Sequence, residues 1–473
     1  MSNPTSLEQP AEEIPERLPG KRLPWWAIVL LGMLVLGVLS LGGGWIHLTQ
    51  KEDERLAVQV EKVRARSEPL TTVELNDFYQ PAQNRPDMTA EIMTALAICE
   101  APDLQMSATD LPIVGKGPEI PPPPETWPQR EAVEAYLARQ RAALDTFREV
   151  ARRDGTARFP VDFTPGIATL LPHVQTMRQA SRVLSLQFHV DLHAGHSSEA
   201  VDSILDQIAL ARVMDQEPIL VAQLVRAALI SVAVSQVQET LAHSDIADDD
   251  LVRLQQGLRK IDYQSCLKQA LVGERTVGYT ACVDPRQAEG GRALTPAEAR
   301  QLTQRHPKRV VDATKMLELN LRISEAADRS LFAALQESER VDVEMRQLSL
   351  GTWNRFSYSM TILLAPAFRQ AITGFARSAA KRDCADAALA AELYRRQHGT
   401  WPESLEQLVP EFLPSVPIDP FNNQPLKLVS TPVELKVYSV GRDGTDDHGN
   451  ISIREDPNTD TGFVLPAKNG ISP

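Results

Sequence analysis

Residues 386–402 read Asp-Ala-Ala-Leu-Ala-Ala-Glu-Leu-Tyr-Arg-Arg-Gln-His-Gly-Thr-Trp-Pro, residues 416–426 Val-Pro-Ile-Asp-Pro-Phe-Asn-Asn-Gln-Pro-Leu, and residues 438–447 Tyr-Ser-Val-Gly-Arg-Asp-Gly-Thr-Asp-Asp. Apolar residues recur every three to four positions from Phe368 through Ile372, Phe375 and Ala379 to Leu389, Leu393 and Tyr394, which predicts one amphipathic helix over Pro366–His398. Gly399 ends that helix because glycine accepts the left-handed turn, and Pro402 prevents its continuation. A short helix over Ser404–Val409 and an Asp419-Pro420-Phe421-Asn422-Asn423 turn follow. Leu426–Val429 and Leu435–Tyr438 then alternate as two strands of a hairpin.

Outward from this module the chain is long and acidic. Its 473 residues with 43% apolar content can bury two or three cores, since single cores stop growing beyond about 250–300 residues. A net charge of −13 and the absence of a long Lys/Arg run point away from nucleic acid, which is held by clustered cations. Trp25–Leu48 holds no Asp, Glu, Lys or Arg and is long enough to cross a hydrocarbon layer of about 30 Å as a helix. Trp25, Trp26 and Trp45 fall at its two ends, where aromatic rings favour the interface. The expected topology is a single pass through a bacterial inner membrane, with residues 1–24 as a cytoplasmic tail and everything after the span outside the cytoplasm. Lys/Arg residues flank the span on both sides, so this topology rests on the large C-terminal region following a signal anchor.

Residues 49–75 are charged and helix-prone and are expected to carry the membrane helix outward. Residues 76–128 hold Pro81, Pro86, Pro102, Pro112, Pro118 and the run Pro121–Pro124, so the expectation is an irregular linker with one short helix over Met88–Glu100 and a stiff polyproline spacer. Residues 129–350 read as an all-α domain of helical hairpins, with helices over His173–His193, Ser198–Met214, Pro218–Leu241 and Asp248–Ile261, and one or two more over Lys315–Leu348. Thr295-Pro296-Ala297-Glu298 is a capping box with proline at the first helical position. The apolar face from Ile219 to Val234 is interrupted by Gln223 and Arg226, which marks a buried core helix, with Arg226 expected to pair with a carboxylate. Cys99, Cys266, Cys282 and Cys384 lie far apart with no Cys-x-x-Cys, leaving disulfides, of which Cys266–Cys282 is the nearest pair, or four buried thiols.

Chemistry-bearing motifs are sparse. His189 and His193 are spaced i and i+4, so two imidazoles share a helix face and can hold zinc, but Val190 stands where a zinc protease has its glutamate. His196 follows Gly195, a helix C-cap that turns it away from that face. Leu192-His193-Ala194-Gly195 with Glu199, Ala200, Val201 and Ile204 looks like the turn of a tetratricopeptide-type helix pair, without a second copy. The sequence contains no Gly-x-Ser-x-Gly, P-loop or dinucleotide fingerprint.

The landmarks from Asp386 to Ile451 resemble the globular domain of the major pseudopilin of type II secretion, its G subunit. The shared order is a helix ending at glycine, an aromatic-Pro pair, an Asp-Pro-aromatic turn, and a strand ending Tyr438-Ser439-x-Gly441-x-Asp443-Gly444. The resemblance implies that residues 365–455 form a small α+β domain, with residues 456–473 as a tail. It also implies a calcium loop, for which Asp443, Asp446, Asp447 and Asn450 supply the hard oxygen ligands that Ca²⁺ takes. Asn450 stands where the family has an aspartate. At the other end Gly20 is followed by Lys-Arg-Leu-Pro-Trp-Trp, not by the start of a pseudopilin membrane helix, and residues 49–385 separate the span from the module. The chain is therefore expected not to polymerise into a pseudopilus.

The expected fold is mainly α: one transmembrane helix, an all-α helical-hairpin domain, and a small C-terminal α+β pseudopilin-like domain. The expected function is non-enzymatic, a membrane-anchored structural or interaction protein working with other membrane or secretion-apparatus proteins, with no small-molecule substrate. Two other classes fit single features: a tetratricopeptide-like adaptor that binds peptides or proteins, and a zinc-dependent hydrolase using His189 and His193.

Overall fold

A buried carboxylate from elsewhere in the chain sets the start of the long C-terminal helix. Asp312 accepts hydrogen bonds from the backbone N–H groups of Met360 at 3.0 Å and Thr361 at 3.1 Å, and from the Thr361 hydroxyl at 2.7 Å. It thus caps orphan donors that no local residue serves. The helix consequently begins at Ser359, not Pro366, and runs 40 residues to His398. Gly399 closes it at φ 81°, with its N–H on the Arg395 carbonyl at 2.8 Å.

The computed structural model describes residues 33, 50–283, 307–451 and 459–466. The chain divides into the units Met1–Asp53 and Glu54–Pro473. The expected cytoplasmic tail and, apart from Met33, the expected membrane span lie outside the described residues, as does the capping box at Thr295. Within the second unit the fold is mainly helical. Its helices are α1 (Thr72–Phe78), α2 (Thr89–Cys99), α3 (Pro102–Ser107), α4 (Arg130–Arg139), α5 (Arg141–Arg153), α6 (Pro172–His193), α7 (Ser197–Arg212), α8 (Leu220–His243), α9 (Asp248–Arg259), α10 (Tyr263–Val283), α11 (Pro307–Arg329), α12 (Leu331–Leu350), α13 (Thr352–Ser357) and α14 (Ser359–His398). Three strands, β1 (Lys427–Ser430), β2 (Glu434–Ser439) and β3 (Thr461–Pro466), form an antiparallel sheet in the order β1-β2-β3.

Sequence neighbours pack as hairpins, α6 on α7, α7 on α8, and α10 on α11. Helix α8 is long and apolar enough to cross a membrane by length and composition, but 67% of its most apolar window is buried inside the protein, against α7, α10, α14 and β3. The Lys315–Leu348 stretch resolves into α11 and α12, broken at Ser330, whose hydroxyl caps α12 by accepting from Ala333 N.

Four expectations need correction. The break drawn between 350 and 365 is not a break in packing, because α14 lies against α8, α9, α10, α11 and α12 as well as β2 and β3. Arg259 reinforces this by donating to Asp386 at 2.8 Å and to the Phe412 carbonyl at 2.9 Å. Residues 76–128 are not an irregular linker throughout: the expected helix over Met88–Glu100 is α2, and a further helix α3 with Leu104, Leu111 and Trp127 joins it in the core. The Pro121–Pro124 run turns at a cis Pro123–Pro124 peptide, with Glu125 N on the Pro122 carbonyl. The expected tail over 456–473 carries β3, in which Phe463 and Leu465 alternate inward and pair with Val437 and Leu435.

Arg226 is the fourth correction. Among the described residues its guanidinium meets the Cys266 sulfur, not a carboxylate, and its Nε has no hydrogen-bond partner. Burial pushes the Cys266 thiol up to about 11, with Arg226 pulling the other way. All four cysteines are free and buried, so the open choice between bridges and thiols falls to thiols.

Because one helix serves both the helical layer and the sheet, Phe375→Ala, at a fully buried α14 position, is expected to cost about 3–5 kcal/mol. Urea denaturation followed by far-UV circular dichroism should show one transition shifted as a whole. Separate helical and sheet transitions would contradict the shared core.

Candidate functional site

The expected calcium loop leaves β2 through a clamp. Asp419 of the Asp-Pro turn accepts from Ser439 Oγ at 2.8 Å, Val440 N at 2.9 Å and Phe421 N at 2.8 Å, which joins the turn to the strand exit. Burial raises its carboxyl above the ordinary range although these hydrogen bonds oppose the shift. Gly441 follows at φ 68°, and a Cβ there would stand 2.8 Å from the Thr459 carbonyl, so the turn demands glycine twice over.

The four expected ligands do not behave alike. Asp443 and Asn450 are exposed, and Asp443 Oδ1 accepts from Thr445 N at 3.0 Å in a local turn. Asp446 is already occupied: Lys427 Nζ stands 3.0 Å from Oδ2, while Tyr438 OH and His448 N donate to Oδ1 at 3.1 and 3.0 Å. The hydrogen bond from Lys427 is the main cause of its lowered pKa. Asp447 is different, because its Oδ2 is buried and has no partner.

Beside it stands Asp460, buried, with Oδ2 accepting from Gly449 N at 2.8 Å and Oδ1 from Asp447 N at 3.4 Å. Desolvation raises the Asp460 pKa, and the negative charges of Asp446 and Asp447 add to the rise. Asp460 escaped the sequence reading because it lies beyond the loop. The available signal is the alternation of Phe463 and Leu465 in a strand that starts directly after Asp460. Among the described residues no three His, Cys, Asp or Glu side chains converge in metal-binding geometry. The structure thus pairs Asp447 with Asp460 and leaves Asp443 and Asn450 at the rim.

The histidines are placed separately. His193 Nε2 donates to the Pro121 carbonyl at 2.8 Å and its ring lies 5.2 Å from Trp127, which ties α6 to the proline turn. His189 Nδ1 stands 3.4 Å from Glu239 on α8, and His196 is the N-cap residue of α7.

A charged cleft of about 350 Å³ opens between α5, α7 and α9, a site the sequence did not announce. Arg148, Arg212, Arg253 and Lys260 line it together with Asp154, Asp202 and Asp206. Arg212 pairs with Asp154, yet its Nε is buried without a partner. Arg253 pairs with Asp202 and with Asp250 at 2.7 Å. Asp206 is buried and, among the described residues, pairs only with the half-exposed Arg148, at 3.5 Å, so desolvation lifts its carboxyl from 3.8 to about 7. The helices come this close because Gly257 has no side chain: a Cβ there would stand 2.6 Å from Leu205 Cδ2.

No family model matches this chain, and no curated protein or solved structure is significantly similar to it.

The Asp206 shift sets a sign. The protonated carboxyl favours the folded chain, so its contribution is complete below 3.8 and is lost as pH rises through about 7. Asp206→Asn should therefore gain stability relative to the parent as pH rises, by on the order of 1.4 kcal/mol per pH unit within that window. Urea titrations at several pH values check this. A difference that stays constant with pH would assign Asp206 an ordinary carboxyl.

Proposed function

We propose that this chain is a membrane-anchored, extracytoplasmic interaction scaffold whose C-terminal α+β part is pseudopilin-like and takes a calcium ion in its Asp loop. Its partners on this reading are other membrane or secretion-apparatus proteins, and the role is structural. The observation that carries it is the arrangement on α14: the helix, its Gly399 cap, the Asp419 turn and the antiparallel sheet follow in the order of that family and pack on one helix. Continuity of α14 into the helical layer supports a scaffold, because movement at the sheet is transmitted to buried helices and not absorbed by a linker.

The calcium part is supported by the unpartnered Asp447 Oδ2 beside buried Asp460. Two carboxylates without a counter-ion repel each other, and a hard divalent cation removes that cost. Asp447 and Asp460 would hold the ion, with loop carbonyls and water completing a shell of roughly six to eight oxygens. Bound calcium would neutralise the loop and fix its conformation.

The cleft favours a second reading as a helical adaptor, in which Arg148, Arg253 and Lys260 receive an acidic peptide. Arg253→Glu with Lys260→Glu should then abolish binding of a fluorescent acidic peptide measured by anisotropy, and equal binding by parent and variant would reject the adaptor.

For the scaffold reading, calorimetry and thermal melts of the full chain in detergent should reveal stoichiometric calcium. Saturation at about 100 times Kd adds about 2.7 kcal/mol of stability. Asp447→Ala and Asp460→Asn should each remove that gain, whereas Asn450→Ala should leave most of it, since Asn450 is exposed. A calcium-independent melt of the parent at millimolar ion would remove the cation from the proposal.

A further inference from the structure

The surface where α12, α13 and α14 meet is apolar where a protein ordinarily faces water. Leu350 is 86% exposed, Trp353 73%, Phe356 57% and Leu363 69%. Trp353 and Phe356, three residues apart on α13, have ring centroids 6.0 Å apart, while the helix buries Ser357. Packing of α13 against α11, α12 and α14 holds this display in place. Scattered exposed apolar side chains need no explanation, but aromatic residues presented together mark an interaction surface.

Charge identifies what the surface fits. From Met345 to Arg382 the chain contains no Asp or Glu, and Arg355 stands between Trp353 and Phe356 on α13, whereas Arg346 and Arg369 are held by Asp342 and Arg382 by Asp383. Lys308 Nζ lies 3.9 Å from the centroid of the Phe356 ring. A second copy of this chain fits poorly, because a two-fold contact sets a patch against itself and would bring cations onto cations. An anionic lipid surface is complementary: tryptophan and phenylalanine enter the headgroup boundary, leucines reach the acyl chains, and lysine and arginine stay at the phosphates.

We propose that Leu350, Trp353, Phe356 and Leu363, flanked by Lys308 and Arg355, form a membrane-contact surface that docks on anionic phospholipid. The proposal rests on the reading of Trp25–Leu48 as a membrane anchor, which ends six positions before the folded unit begins at Glu54. An anchor this near in sequence raises the local concentration of lipid at the patch, so a surface too weak to bind alone becomes a stable second attachment.

The test places nitroxide labels on the full chain in nanodiscs. The native cysteines are all buried, so Trp353→Cys and, on the exposed β1–β2 turn, Val433→Cys provide the reactive thiols. In phosphatidylglycerol nanodiscs the label at 353 should gain collisions with oxygen and lose those with a nickel chelate severalfold, while the label at 433 stays aqueous. Adding Lys308→Glu and Arg355→Glu, or using phosphatidylcholine alone, should return the label at 353 toward water. Equal nickel accessibility at 353 and 433 in phosphatidylglycerol overturns the proposal, as does spin–spin broadening at 353, which would mean that a second copy covers the patch. Release of the parent chain from membranes by alkaline carbonate would instead refute the anchor. The same labels on that released chain mixed with phosphatidylglycerol vesicles would then decide the patch, immersion supporting it and aqueous exposure overturning it.

Discussion

Burial of α14 on several sides at once is the constraint from which the rest of the fold follows. A helix packed by neighbours all round must carry small side chains where backbones approach, and Ala371, Ala376, Ala379, Ala380, Ala385, Ala387, Ala388, Ala390 and Ala391 provide them. Ile372, Phe375 and Leu389 fill the wider gaps and are fully buried. The helix end is fixed by its own Gly399, but its beginning is fixed by Asp312 of α11. Folding the last hundred residues therefore requires the helices before them.

The acidic chain neutralises much of its charge internally. Arg275 is fully buried, donating to Glu68 at 2.5 Å, and Arg66 bridges Glu68 to Asp328. These contacts fasten the segment after residue 65 to α10 and α11. Removing one partner from such a buried pair costs more than the pair contributes, since the survivor keeps its desolvation penalty. Among the buried polar atoms that stay without a partner are the Arg212 Nε in the charged cleft and the Asp447 Oδ2 in the C-terminal loop, beside others such as Arg226 Nε and Arg275 Nε.

The helices legible in the sequence were those with an uninterrupted apolar period and a local stop. His173–His193 and Asp248–Ile261 are within two residues of α6 and α9, because Pro172 and Gly195 bound the first and an acidic first turn, Asp248–Asp250, opens the second. The proline-rich stretch reads as linker because proline excludes long regular elements, and that rule does not exclude short helices pressed into a core. Of the candidate cation site, Asp446 and Asp447 were legible as a local cluster, while Asp460 was not, since only the β2–β3 pairing brings it back to the loop. The charged cleft was wholly illegible. Its lining comes from three helices whose charged residues each look like ordinary solvated faces.

By itself the sequence determined the periodic helices, the Gly399 stop, the Asp-Pro turn, the β1–β2 hairpin and an uncharged run at 25–48, because each depends on backbone preferences and side-chain period within a few residues. Only the tertiary structure decided that α14 starts at Ser359, that helical layer and sheet share one core, that Arg226 faces a thiol, and that Asp460 joins Asp447. Each of those outcomes turns on which distant group reaches a buried donor, acceptor or charge. A local window holds no record of that partner.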